Sequence, residues 1–191
     1  MLKTQAVLFS LLGLLASPMA NAHGLHGSGF MEGLVHPVLG IDHLLAMLAM
    51  GVSVAALGVR WQRAAASAMV LALSLGLFSA DVFRSTLSID PLLAATLLVM
   101  GLMLLRKPVF SEPLRIALIA FFAYFHGLAH GLGWPAQDGL WPFASGVASA
   151  SLVLFVLGVG IGRRWMVRHP RAQLGLGGLL GIAGLGFLFG A

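Results

Sequence analysis

Six apolar stretches, approximately Leu34–Val59, Ala64–Phe83, Pro91–Leu105, Leu114–Leu132, Leu140–Ile161 and Leu174–Ala191, follow one another with only short polar breaks between them. A helix needs about 20 apolar residues to cross a hydrocarbon core of ~30 Å, where water cannot satisfy the backbone. The pattern predicts an all-α fold: a polytopic membrane bundle of six transmembrane helices. The third stretch is the shortest and is expected to tilt little or to begin earlier. Only 9% of the 191 residues are charged and mean hydropathy is +0.98, against the roughly 25% charge of a soluble domain.

Lys3, the apolar run Ala6 to Ala16 and the ending Ala20-Asn21-Ala22 predict a cleavable secretory signal peptide over residues 1–22, leaving a mature six-helix domain over 23–191 that starts at His23. Uncleaved, the same run would be an extra anchor.

Lys and Arg assign the orientation. Arg60, Arg63, Arg106, Lys107, Arg115, Arg163, Arg164, Arg168 and Arg171 fall after the first, third and fifth stretches, whereas the opposite loops hold Arg84 alone. Cytoplasmic loops carry the positive excess, which predicts that the mature N-terminus and the C-terminus lie outside and the first hairpin loop in the cytoplasm. The net charge of +5 is spread over these short clusters and makes no nucleic-acid patch. Two halves of three spans each would then be inverted relative to each other, as in many transporters, although their sequences show no convincing similarity. In the last stretch, Gly177 and Gly181 form a G-x-x-x-G pattern that lets another backbone approach closely.

Against this apolar background, polar residues within spans stand out. The first stretch carries His36-Pro37-Val38-Leu39-Gly40-Ile41-Asp42-His43 and the fourth carries His126-Gly127-Leu128-Ala129-His130. Ionisable groups at membrane depth are expensive and mark functional sites. On one continuous helix, with Pro37 in its first turn, His36 and His43 would share a face with Met47 and Met50, while Asp42, Ala46, Ala49 and Ser53 form a neighbouring stripe. His126 and His130, at i and i+4, lie on one face with Gly127 and Gly131 beside them. His43 should lie about 12 Å below one surface, and His126 and His130 within about 10 Å of the same surface. The expectation is one shared site.

Cysteine is absent, so a metal must be met by imidazole, carboxylate, Met, backbone or water. Four imidazoles and a carboxylate suit Ni²⁺, Co²⁺, Zn²⁺ or Cu²⁺ better than Mg²⁺ or Ca²⁺. Asp42 would bind the ion or orient His43. His23 and His26, with the freed α-amino group, would either collect metal outside or belong to a flexible terminal tail. Trp61, Trp134 and Trp141 are expected as interfacial anchors. No phosphate-binding loop with Lys-Ser/Thr is present, so no nucleotide is expected.

The spacing His36-x5-Asp42-His43, together with Phe125-His126-Gly127-Leu128-Ala129-His130-Gly131, resembles the two signature motifs of the HupE/UreJ family of bacterial membrane proteins. The resemblance extends over the whole mature chain and implies a nickel or cobalt permease associated with hydrogenase and urease, with metal ions, the bilayer and urease or hydrogenase maturation proteins as partners. It implies no enzyme. The family's second motif continues to a Glu where this chain has Gly133, which removes one implied carboxylate ligand; Asp138 is the substitute at hand. The expected function is a transition-metal permease, for Ni²⁺ first and Co²⁺ or Zn²⁺ next, binding at His36, Asp42, His43, His126 and His130. The alternatives are a haem protein ligated by His43 with His126 or His130, an intramembrane zinc hydrolase with Asp42 as base, and an accessory protein that buffers metal.

Overall fold

The computed structural model describes residues 29–83, 89–105, 110–134, 139–166 and 168–190, and it is all-helical. The predicted signal peptide, His23, His26, Asp138, Arg84, Arg106 and Lys107 lie outside the described residues. The helices are α1 (Gly29–Leu39), α2 (Ile41–Ser53), α3 (Val59–Phe78), the single turn α4 (Ala80–Phe83), α5 (Asp90–Leu105), α6 (Glu112–Leu132), α7 (Leu140–Ile161) and α8 (Pro170–Gly190). A wider π turn, Gly162–Met166, prolongs α7.

Four of these are long and apolar enough to cross a membrane, and the bent pair α1–α2 passes the same test when joined. Asp90–Leu104 is apolar but shorter. The first predicted span is therefore not one continuous helix. Pro37 brings no backbone N–H to the ladder, and at Gly40 the chain becomes extended (φ −79°, ψ 106°), so α1 and α2 meet at 80°. The expected common face of His36 and His43 does not exist as a heptad.

Three helix pairs close where glycine lets backbones touch. Gly33 of α1 lies against Phe143 and Val147, and Gly51 of α2 against Phe155, so both halves of the broken segment run parallel to α7. Gly76 of α3 faces Tyr124, and Gly127 of α6 faces Leu73, so α3 and α6 are also parallel. Gly101 of α5 sits on Gly177 and Gly181, and Gly184 on Ala94 and Leu98, which makes α5 and α8 antiparallel. The backbone of the G-x-x-x-G pattern is thus approached at Gly101, while a Cβ on Gly181 itself would meet nothing within 4 Å. A two-fold that exchanges the first three segments with the last three would turn the α1–α2/α7 pair into α6/α3 and return α5/α8 to itself, the partner exchange of an inverted repeat.

The core is made of Ala46, Met47, Met50, Met69, Leu73, Leu97, Met100, Ile119 and Phe155, with smaller residues between them. Leu71, Leu75, Val82, Phe121, Val153, Ile182 and Phe189 are exposed on the outside, the apolar surface that lipid would cover.

The far end of α2 is fastened. Arg115 was counted above with the loop cations, yet it lies buried in the first turn of α6. It donates from Nη1 to the Ser53 carbonyl at 2.6 Å and from Nε to the Phe110 carbonyl at 3.3 Å. Gln62 Nε2 donates to the carbonyls of Leu57 (2.8 Å), Ala55 (3.1 Å) and Val54 (3.3 Å). A cation at a helix C-terminus meets the negative end of the dipole and satisfies carbonyls that have no partner in the helix.

Candidate metal site

The break at Gly40 starts a new helix whose first turn holds Asp42 and His43. A Cβ on residue 40 would stand 3.2 Å from both Asp42 Oδ1 and His43 Nδ1, so either side chain would have to give by a few tenths of an ångström to admit it. Those two atoms are 3.0 Å apart. A carboxylate only accepts, so Nδ1–H of His43 donates and the ring's lone pair is left on Nε2. On α6, His126 Nδ1 lies 3.0 Å from the Phe122 carbonyl one turn back, which by the same reasoning leaves its lone pair on Nε2.

The predicted histidines come together although the predicted helix does not hold. The His43 ring centroid is 4.9 Å from that of His126 and 4.5 Å from that of His130, and His36 lies 5.0 Å from His130. The bend achieves this, because α1 brings His36 to the upper turn of α6 while α2 carries His43 between the two α6 rings. The close approach of α6 to α3 at Gly127 and Gly131 holds the α6 rings in place.

Burial is graded through the cluster. His36 is exposed, the side chains of Asp42 and His43 are 28% and 13% exposed, and His130 and His126 are 2% and 0% exposed as residues. Within it, His43 Nε2, His126 Nε2 and both ring nitrogens of His130 are buried with no hydrogen-bond partner. Buried polar atoms are nearly always paired, and leaving one unpaired costs about 1–3 kcal/mol. The rings meet largely edge to face, however, and among the described residues no group of three or more His, Cys, Asp or Glu is arranged to hold a metal ion.

Sequence reasoning missed the aromatic side of the cluster. Phe143 lies 5.8 Å from His36, and Trp134 stacks on Phe143 at 4.0 Å. Trp134 is buried rather than an interfacial anchor, whereas Trp141 is 75% exposed as expected. Trp61 lies under the Arg60 guanidinium at 5.0 Å. Gly133 ends α6 as its C-cap, so no side chain stands at the position where the resemblance implies a carboxylate. Met47 and Met50, and Ala46, Ala49 and Ser53, are buried as both stripes required.

The sequence profile of the HupE / UreJ protein family matches residues 11–187. The chain belongs to the HupE/UreJ family. It is also similar to Protein HupE of Rhizobium leguminosarum bv. viciae, 28% identical over 191 residues that cover 99% of this chain and 100% of that protein. No solved structure matches. Membership accords with the helical architecture, and the two segments resembling HupE/UreJ motifs are those whose histidines meet.

Proposed function

We propose that the protein is a permease for a divalent transition metal, Ni²⁺ first and Co²⁺ next, that supplies metalloenzyme maturation. The carrying observation is the set of unpartnered ring nitrogens: Nε2 of His43 and of His126 and both nitrogens of His130 are buried without a hydrogen-bond partner. Each ring that has a partner makes that contact through Nδ1, which fixes the tautomer so that Nε2 is free to ligate. Asp42 orients His43, and exposed His36 receives the ion at the mouth. From the ring-to-ring arrangement, side-chain rotation brings the nitrogens onto the ion. Imidazoles without thiolate match the borderline character of these metals.

The parallel packing of α3 with α6 favours a crossing by α5 between them, hence six crossings in all, with both termini periplasmic and the histidine end facing out. His23, His26 and Asp138 would serve the approach to that mouth, and residues 1–22 would be removed on export. The haem reading loses ground because touching rings leave no slot for a macrocycle between His43 and α6.

Uptake of Ni²⁺ into proteoliposomes, with Co²⁺ and Zn²⁺ in competition, tests the reading. Saturable uptake that disappears in an Asp42→Asn, His130→Ala double variant is expected. Uptake by the double variant equal to that of the parent removes the basis for the site.

A further inference from the structure

Ser151 lies midway along α7, 1% exposed, and its Oγ is buried with no hydrogen-bond partner. Other hydroxyls in these helices turn back to a carbonyl three or four residues earlier: Ser53 to Met50, Thr96 to Leu92, Ser145 to Pro142 and Ser149 to Ser145. Ser151 forgoes the same bond to the preceding turn. The buried unpartnered side-chain atoms of the described residues are the imidazole nitrogens of the cluster and this one hydroxyl.

Its position links it to them. On the same stripe of α7, Val147 meets α1 at Gly33, and Phe155 meets α2 at Gly51. Ser151 is the residue of that stripe between the two contacts. The break that precedes Asp42 and His43 falls between those two contacts, as Ser151 does on α7. In transporters with broken helices, the cargo is met where the helix is interrupted, because freed backbone and a facing segment together line the cavity.

We propose that Ser151 is a further ion-binding residue, supplying an oxygen donor to the divalent cation at the break in the first span. This rests on the permease reading and adds to it a ligand on a third element, α7, beside those on α1–α2 and α6. A hydroxyl oxygen is a harder donor than imidazole and holds the ion more loosely, which suits a position the ion must leave.

The test uses the purified full chain in nanodiscs, as parent, Ser151→Ala and Ser151→Cys. Ser151→Ala removes only an unpaired hydroxyl, so without metal it should melt at or above the parent, while its Ni²⁺ affinity by equilibrium dialysis falls about tenfold. Ser151→Cys introduces the chain's sole cysteine, and on adding Co²⁺ it should give a thiolate-to-metal charge-transfer band that the parent lacks. Parent-like Ni²⁺ affinity in Ser151→Ala, or no such band from a Ser151→Cys protein that binds Co²⁺, overturns the assignment. If either occurs while the parent binds Ni²⁺, the permease reading stands and this inference alone falls; a parent that binds no Ni²⁺ removes both.

Discussion

At its first turn α2 carries His43, whose buried Nε2 has no partner, and beside it stand the equally unpartnered nitrogens of His126 and His130. At and just past its last residue the carbonyls of Ser53, Val54 and Ala55 are all taken up, by Arg115 and Gln62. Both ends are buried and polar, and both are built from residues that a membrane interior admits only at a cost. The Arg115 end is satisfied from within and so reads as structure. The histidine end lacks what would satisfy it, as expected of a site shaped for something not part of the chain.

The contrast predicts opposite signs for substitutions at the two ends. The largest effect on the fold is expected from Arg115→Ala, which strands the Ser53 and Phe110 carbonyls and should lower unfolding stability in nanodiscs by about 3–5 kcal/mol. A parent-like denaturation midpoint would show that the fastened end is not a structural clasp. His130→Leu should do the reverse, removing two unpaired nitrogens at nearly the same volume. Apo stability rises by about 1–2 kcal/mol while Ni²⁺ uptake is abolished. Loss of stability together with loss of uptake would make His130 an ordinary core residue and erase the contrast.

Asp42→Asn should lower metal affinity about 10–100-fold, since the amide no longer holds His43 by a charge-assisted bond, with little change in folding. Dialysis and melting of the same sample separate the two. Uptake should also decline as the external solution is acidified, because a proton and a metal compete for the same imidazole lone pair. A rate that stays flat until the protein unfolds would speak against histidine ligation. The smallest effect is expected for Gly40→Ala, whose added methyl presses on Asp42 and His43 at 3.2 Å and should slow uptake only a few-fold.

Much of the candidate site could be read from the residues. Charged groups are so rare in this chain that each one inside a span stands out, and His36, Asp42, His43, His126 and His130 were found that way. The geometry was less legible. A heptad spacing between His36 and His43 reads as one helical face only while the ladder is unbroken, and Pro37 with Gly40 breaks it. The same rings are gathered instead by an 80° bend that no local pattern announces. Arg115 misled for a related reason: counting cations by loop cannot tell a solvated arginine from one folded under the next helix. Trp134 was taken as an anchor on residue type, and only its stacking on Phe143 reveals it as part of the wall beside His36. Ser151 carries no sequence signal, since a serine in a membrane helix usually bonds to its own backbone.

Nickel K-edge X-ray absorption on the purified, Ni²⁺-loaded chain bears most directly on the claim that the unpartnered imidazoles are the ion's ligands. The account predicts nitrogen and oxygen neighbours without sulfur, with outer-shell scattering from at least three imidazole rings that is lost in a His126→Ala, His130→Ala variant. A shell of oxygen alone, or one unchanged in that variant, would contradict it.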